Sequence, residues 1–470
     1  MTKIKFGTDG WRAIIAKDFT EDNVARVSVA VAAWLNQKYK NPTAVIGYDF
    51  RFGGKMFAQT VAKVLAKYEI KVLISDCQVS TPAVSLAVVK QFAQIGVMIT
   101  ASHNPPDYNG YKLKGEYGGP LLEDSTKEIE TIIHEEHGLI LDSLKFEDFI
   151  KTGFIKEVDL EELYIKHVYN NFDIEALRKS KFNFAFDAMY GAGQNVMRKL
   201  FPDIALLHCE NNPSFNGVPP EPLHKNLLEL SNFISDSGNI DCGLAVDGDA
   251  DRIALYDNNG NYINSHLIIL ILIYYLTEYK KLKGKVVTGF SSSVKIEKLC
   301  KKYNIPVQRV HIGFKDICKV MLHDDVLVGG EESGGITCKG HIPERDGIWM
   351  GLTIWQFMNE TNKNISQIIN EVYNITGTFF YSRNDLRIEE KLKKDVIQAC
   401  KNNSFKQFGE LKVQRVETLD GYKYFINENE WLMIRPSGTE PLLRIYAEAS
   451  SVERVKLFLD EALKAVETFK

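Results

Sequence analysis

The chain has 470 residues, more than one hydrophobic core organises, so two to four domains are expected, and 45% hydrophobic with 25% charged residues excludes a largely disordered chain. A net charge of −4 argues against a surface built for nucleic acid or membrane, although it leaves room for a local basic pocket. Seven scattered cysteines without a C-x-x-C pair suggest neither a disulfide framework nor a zinc site, and fit a reducing cytoplasm.

The opening segment MTKIKFGTDGWR lacks the apolar stretch of a secretory leader. Apolar spacing at Val24, Val27, Val31 and Leu35 predicts a helix from Asn23 to Tyr39, and the β-branched runs TAVIGYD and IKVLISD predict strands on either side of helical stretches. That alternation is an α/β signature. It recurs in KFNFAFDAMYGAG, CGLAVDGDADR and KVVTGFSSS, each a strand that ends in a polar loop. Ligands of open α/β sheets bind at such strand ends, so chemistry is sought there. The run LIILILIYYL, from Leu267 to Leu276, is too short to span a bilayer and predicts a buried helix. His134, His137 and His167 lie in polar, helix-like stretches and read as solvated. The last hundred residues carry two strands, WLMIR and RIYAEAS, then a helix with apolar residues at 452, 455, 459, 463 and 466, which suggests a small α+β domain. Turn-rich or polar stretches place boundaries that give domains 1–148, 149–254, 255–370 and 371–470.

Four loops carry chemistry. In DGDADR, alternating spacing lets Asp247, Asp249 and Asp251 converge, and their mutual repulsion calls for a hard divalent cation; a solvated acidic turn is the bland alternative. The EF-hand rival fails because Arg252 stands where glycine is needed and Asn258 where a bidentate glutamate is needed. In RPSGTEPLLR, Arg435, Arg444, Ser437, Thr439 and the backbone around Gly438 form a donor-rich concavity suited to phosphate, or else a plain hairpin turn. GGEESGG offers Glu331, Glu332 and Ser333 to sugar hydroxyls in a glycine frame, and the following KGHIPERDG adds Lys339, His341, Arg345 and Asp346. In TASHNPPDYNGYK, no G-x-S-x-G elbow activates Ser102, so a phosphoryl carrier with Lys112 as charge neutraliser or proton donor fits better than a hydrolase nucleophile.

With these loops in this order, preceded by GTDGWR at Gly7 to Arg12, the whole chain resembles the α-D-phosphohexomutase superfamily, which includes phosphoglucomutases, phosphomannomutases and phosphoglucosamine mutases. The resemblance implies three related α/β domains and a C-terminal α+β domain around a central cleft. It implies that Ser102 is phosphorylated, that Asp247, Asp249 and Asp251 hold Mg²⁺ with a phosphate oxygen of that serine, and that Lys112 is a general acid/base. Arg12, His103 and Arg252 would line the phosphoserine site. Gly313, Phe314 and Lys315, within HIGFK, and Glu331 with Ser333 would contact the sugar. Arg435, Ser437, Gly438, Thr439 and Arg444 would clamp the phosphate that is not reacting.

The implied reaction interconverts hexose 1- and 6-phosphates through a 1,6-bisphosphate, with glucose 1,6-bisphosphate as intermediate and activator. Several mannose and glucosamine relatives have histidine after the S-G of the sugar loop, where this chain has Gly335. GEESGG followed by GHIPERDG resembles the phosphoglucomutase pattern instead, with His341 and Arg345 taking over phosphate or proton work. Glucose phosphate is therefore the expected substrate, with mannose or glucosamine phosphate as the alternative and a Mg²⁺-dependent sugar phosphatase or a non-catalytic sugar-phosphate binder as further readings. A cytoplasmic monomer or weak homodimer, with no nucleic-acid or membrane partner, is expected.

Overall fold

The runs TAVIGY and KVLIS become neighbouring parallel strands, Thr43–Tyr48 and Lys71–Ser75, because β-branched side chains pack well on a pleated surface covered on both faces. The computed structural model describes residues 3–437 and 442–469. The chain divides into two units, Met1–Val287 with Gly313–Ile369, and Thr288–Ile312 with Asn370–Lys470.

In the first unit, six strands form a sheet in the order Trp11–Ile14, Tyr108–Gly115, Ile95–Ile99, Thr43–Tyr48, Lys71–Ser75, Ile155–Val158. The last four run parallel, while Tyr108–Gly115 turns back antiparallel on Ile95–Ile99, so residues 100–107 form a loop at the carboxyl end of a central strand. Thr20 and Ser80 accept from the backbone N–H groups of Asn23 and Ala83, capping the helices Glu21–Lys38 and Thr81–Lys90 that cover this sheet. Period-two alternation sends Tyr111 and Leu113 into the core with Val27, Val31, Ile46 and Ile99, and leaves Lys112 and Lys114 together on the opposite face.

A second sheet has the order Tyr262–Ile263, Ile253–Asp257, Cys242–Val246, Phe184–Asp187, Ala205–Leu207. Cys242–Val246 and Ile253–Asp257 pair antiparallel, with Val246 opposite Ile253, so DGDADR is the tight connection between them. Further on, Val326–Gly330 and Ile336–Cys338 pair antiparallel around the sugar-loop sequence, and the Asp346 carboxylate caps the following helix, Gly347–Thr361. The apolar run becomes the helix Ser265–Tyr274, buried all round as expected for a helix without a polar face. Among the described residues no helix is long and apolar enough to cross a membrane.

The second unit carries an antiparallel sheet in the order Phe380–Arg387, Leu442–Ala449, Glu430–Pro436, Tyr422–Asn427, Arg415–Glu417. Its core includes Leu432, Ile434, Leu443 and Ile445 under the helix Val452–Glu467, which buries Val455, Phe458, Leu459, Ala462 and Val466. Val452 belongs to the expected apolar stripe but lies exposed in the first turn, where Ser451 caps the helix.

Two sheets extend past the boundaries read from turn composition. Ile155–Val158 is the edge strand of the first sheet, beyond residue 148, and Tyr262–Ile263 folds back on Ile253–Asp257, beyond residue 254. Backbone pairing holds these strands, and composition does not register it. His167 is half-buried instead of solvated: its ring stacks on Trp349 at 4.9 Å, and burial pulls it down to about 4. His134 and His137 lie beyond the end of the helix Glu123–Ile132.

At the second sheet, His208 places Nδ1 2.9 Å from Asp187 and Nε2 3.1 Å from Glu229, and the hydrogen bond to buried Asp187 raises the imidazole to about 9. A folded value above the unfolded one stabilises fully below about pH 6.5 and fades as pH rises through about 9. The gap in melting temperature between the wild type and His208→Gln should therefore be larger at pH 6 than at pH 10, and thermal melts at the two pH values measure it.

Candidate active site

Ser102 sits at the tip of the loop after Ile95–Ile99, buried and with φ of +52°, a region that non-glycine residues visit rarely and at a cost on the order of 1–3 kcal/mol. Its neighbours hold it there. The Thr100 hydroxyl accepts from the Ser102 N–H at 2.9 Å and donates to Asp49 at 2.5 Å. Arg51 spends its guanidinium on four backbone carbonyls of the same loop: Ser102 (2.6 Å), Asn104 (2.7 Å), Pro105 (2.8 Å) and Tyr108 (3.0 Å). The prolines and Asn104 shape a loop that Arg51 ties down.

The Ser102 hydroxyl donates to Asp247 Oδ2 at 2.6 Å, which joins the serine loop to the acidic loop 145 positions away in sequence. Gly248 permits this approach, since a Cβ there would lie 2.5 Å from the Ser102 carbonyl oxygen. In the acidic loop Asp247 Oδ1 accepts from the N–H groups of Asp251 and Arg252, and Ala250 takes φ of +58°. The three aspartates are fully buried, and each offers an oxygen within 4.8 Å of the others. Burial and the charges of Asp251 and Asp249 push Asp247 well above the usual carboxylate range. Asp249 is lowered, because Lys112 outweighs the effect of burial.

Lys112 reaches this cluster from Tyr108–Gly115, its Nζ donating to Asp9 (2.7 Å), Asp249 (2.7 Å) and Asp251 (2.8 Å). Burial would drive its proton off, but the three carboxylates prevail and its ionisation is raised. Thr81 also donates its hydroxyl to Asp249. Two carboxylate oxygens, Asp249 Oδ1 and Asp251 Oδ1, are buried without a hydrogen-bond partner. Unpartnered anionic oxygens in a buried all-carboxylate cluster suit a hard divalent cation, so the residues present fit one.

Around Ser102, His103 Nδ1 lies 3.2 Å from the hydroxyl, and Arg252 approaches the other ring nitrogen at 3.4 Å. Burial and the nearby Arg252 and Arg12 hold this histidine neutral, well below its ordinary value. Arg12 donates to Asn104 at 2.7 Å, and Arg252 lies 3.3 Å from Glu221. Arg345 bridges Asp9 (2.6 Å) and Asp251 (2.7 Å), with its guanidinium over the Phe314 ring at 5.4 Å. Gly313 packs near Thr8, and burial lowers the neighbouring Lys315. Glu331, raised to about 7 by burial against the pull of Arg345, closes a tight turn in which its N–H donates to the Gly335 carbonyl at 3.0 Å. Ser333 lies partly exposed in that turn.

Two sequence expectations meet a different setting. His341 does not open onto this cluster: its side chain is fully buried, bonded to Asp346 at 2.9 Å and stacked on Trp349 at 4.0 Å, where it braces the start of the helix Gly347–Thr361. Gly335 explains the missing histidine sterically, because a Cβ there would meet Arg345 Cδ at 2.3 Å. Arg345 occupies that space.

In the second unit, Arg435 and Arg444 stand directly opposite on adjacent antiparallel strands. Like charges so placed repel unless an anion joins them. Arg435 pairs with Asp420 at 3.0 Å, while Arg444 Nε lies 3.9 Å from Asp385. Ser437 donates its N–H to the Leu442 carbonyl at 2.9 Å. Gly438 and Thr439 lie outside the described residues.

Sequence reasoning passed over Asp9, Asp49, Arg51 and Thr81, along with a fully buried pair, Lys114–Glu344 at 2.6 Å, that anchors the backbone next to Arg345. Asp9 stood inside the quoted GTDGWR, Asp49 ends the quoted strand run TAVIGYD, and Arg51 lies two residues beyond it. For Thr81 there was no signal.

Four family models match the chain in order: Phosphoglucomutase/phosphomannomutase alpha/beta/alpha domain I over residues 3–138, domain II over 162–260, domain III over 264–375 and the C-terminal domain over 387–465. A phosphoglucomutase/phosphomannomutase of Thermococcus kodakarensis is 29% identical over 475 residues, covering 98% of each chain. A phosphoglucosamine mutase of Methanocaldococcus jannaschii is 29% identical over 475 residues, with 98% of each covered. The crystal structure of a candidate phosphomannomutase from Thermus thermophilus aligns with a TM-score of 0.86 at 32% identity, covering 99% of each chain.

Arg51→Lys keeps the charge but cannot reach four carbonyls, so the serine loop should lose its register. Its kcat for phosphoryl transfer between the 1- and 6-positions of hexose phosphate should fall about 100-fold and its melting temperature should drop as buried carbonyls lose their partner, as steady-state rates and thermal melts will show.

Proposed function

Since the chain belongs to the α-D-phosphohexomutase superfamily, we propose that it moves a phosphoryl group between the 1- and 6-positions of a hexose phosphate by way of a phosphorylated Ser102. Three α/β domains and a C-terminal α+β domain make up that architecture. The observation that carries the reading is the 2.6 Å contact between the Ser102 hydroxyl and Asp247, at the head of a buried carboxylate triad. A phosphoserine there would place its oxygens against the triad.

A divalent cation, Mg²⁺ in this family, would be held by Asp247, Asp249 and Asp251 and would neutralise charge on the transferring group when bound. The chain's own residues do the rest. Asp247 holds the serine oxygen at the triad. Lys112, kept charged by its carboxylate partners, can neutralise negative charge beside the triad while the phosphoryl group passes from the serine oxygen to the sugar hydroxyl. As the phosphoryl group leaves, the proton given up by the sugar hydroxyl is taken on by the serine oxygen, and neutral His103, 3.2 Å from that oxygen, can relay it there and carry it back in the reverse transfer. Glu331 and Ser333 lie in a turn braced by Gly335, where they can accept from sugar hydroxyls. Arg435 and Arg444 supply a paired positive site for a second phosphate. Transfer of this kind is mostly positioning and charge neutralisation, which suits a site with many fixed charges and no activated nucleophile.

For the sugar, the relatives' names favour glucosamine or mannose phosphate over glucose phosphate. The glucose expectation leaned on His341, whose ring is buried elsewhere. We take glucosamine phosphate as the preferred substrate: the paired carboxylates Glu331 and Glu332 suit an ammonium at C2, and mannose phosphate is the second reading, favoured by the Thermus relative. Rates on glucosamine, mannose and glucose 1-phosphates, each with Mg²⁺ and the matching 1,6-bisphosphate, test this. The highest kcat/KM should fall on glucosamine 1-phosphate, and a preference of about tenfold or more for glucose would contradict it.

A further inference from the structure

Asp9 lies at the tip of a tight N-terminal turn closed by a hydrogen bond from the Gly7 N–H to the Gly10 carbonyl at 2.9 Å. One of its oxygens, Oδ2, faces three cations: Arg345 Nη2 at 2.6 Å, Lys112 Nζ at 2.7 Å and Arg12 Nη2 at 3.3 Å. Those cations come from three separate stretches of chain. Two of them, Lys112 and Arg345, also touch the triad, and both do so through Oδ2 atoms: Lys112 on Asp249 and Asp251, Arg345 on Asp251. The other oxygens of the same two carboxylates, Asp249 Oδ1 and Asp251 Oδ1, are the buried atoms without a partner.

This division of oxygens is not forced by Asp249 and Asp251 alone. A lysine ammonium and a guanidinium next to two bare carboxylates would gain by spreading over all four oxygens. Asp9 holds both cations from the opposite side and limits how far they can move into the triad.

We infer that Asp9 is a positioning residue that keeps Lys112 and Arg345 on the Oδ2 atoms of Asp249 and Asp251 and so leaves the Oδ1 atoms open to a divalent cation. It rests on the reading of Asp247, Asp249 and Asp251 as a cation site. Asp9 need not touch cation or sugar: it acts through the lysine and the arginine. Without its negative charge, the two cations settle more deeply on the triad and compete with a divalent ion for it.

Binding of Mn²⁺ alone to the full-length, chelator-stripped protein, read from the electron paramagnetic resonance signal of free Mn²⁺, tests this without any turnover. Asp9→Asn should bind Mn²⁺ about tenfold more weakly than wild type at an unchanged melting temperature. Lys112→Met, which removes a competitor, should bind it more tightly. In the Lys112→Met background the further change Asp9→Asn should cost less than about threefold, since one of the two cations it acts through is gone and only Arg345 remains. If Asp9→Asn binds as tightly as wild type, or loses about tenfold in both backgrounds, the positioning role is overturned. Should Asp9→Asn fail to fold, Lys112→Met still decides: weaker Mn²⁺ binding by that variant overturns the inference. The underlying reading has its own control, because wild type must bind Mn²⁺ and Asp247→Asn must not. Failure there removes the cation site itself.

Discussion

The ammonium of Lys112 has three N–H donors, and it meets three carboxylates, from fully buried Asp249 and Asp251 and from largely buried Asp9. Unpaired charges in such a place would cost several kcal/mol each, so the first unit must bring these groups together or not form its site at all. Four aspartates, with Asp247, then face Lys112, Arg345 and Arg12. The buried triad keeps two unpartnered carboxylate oxygens, Asp249 Oδ1 and Asp251 Oδ1, a set that suits a hard cation.

Much of the fold serves this one meeting. Antiparallel pairing of Tyr108–Gly115 with Ile95–Ile99 sets Lys112 opposite Met98, one side of the strand packed in the core and the other carrying Lys112 and Lys114. The connection between those strands presents Ser102. A second hairpin-like connection, between Cys242–Val246 and Ile253–Asp257, presents the triad. Both loops carry a non-glycine residue with positive φ, Ser102 and Ala250, and both are pinned by backbone hydrogen bonds: Arg51 on one, Asp247 Oδ1 on the other. Lys114, one step along the same strand face as Lys112, forms a second buried pair with Glu344 and so fixes the residue before Arg345.

The alternation of strands and helices, the buried apolar helix and the C-terminal α+β domain were legible because they follow from side-chain period and from apolar content. The acidic loop was legible because it stands in order with the serine, sugar and phosphate loops; alone, three aspartates at alternate positions could equally have formed a solvated turn. Boundaries were less so: the strands Ile155–Val158 and Tyr262–Ile263 join sheets by backbone bonds, which leave little trace in composition. His341 looked available because a histidine beside arginine and aspartate resembles a proton site. Only tertiary packing reveals that Trp349 and Asp346 enclose it. Asp9, Asp49 and Arg51 sat within or next to segments already singled out, but what each does depends on partners far away along the chain, Arg345 for Asp9 and Ser102 for Arg51, and a single sequence does not encode such pairings openly. The absence of a side chain at Gly335 became informative once Arg345 was seen in the space it leaves.

The central claim is that Ser102 carries the phosphoryl group in the working enzyme. Peptide mass mapping after brief incubation with a hexose 1,6-bisphosphate and Mg²⁺, then removal of small molecules, tests it directly. The account predicts a single added phosphoryl group on the peptide that contains Ser102, lost when hexose monophosphate is supplied. Phosphate on another residue, or turnover with Ser102 never modified, would contradict it.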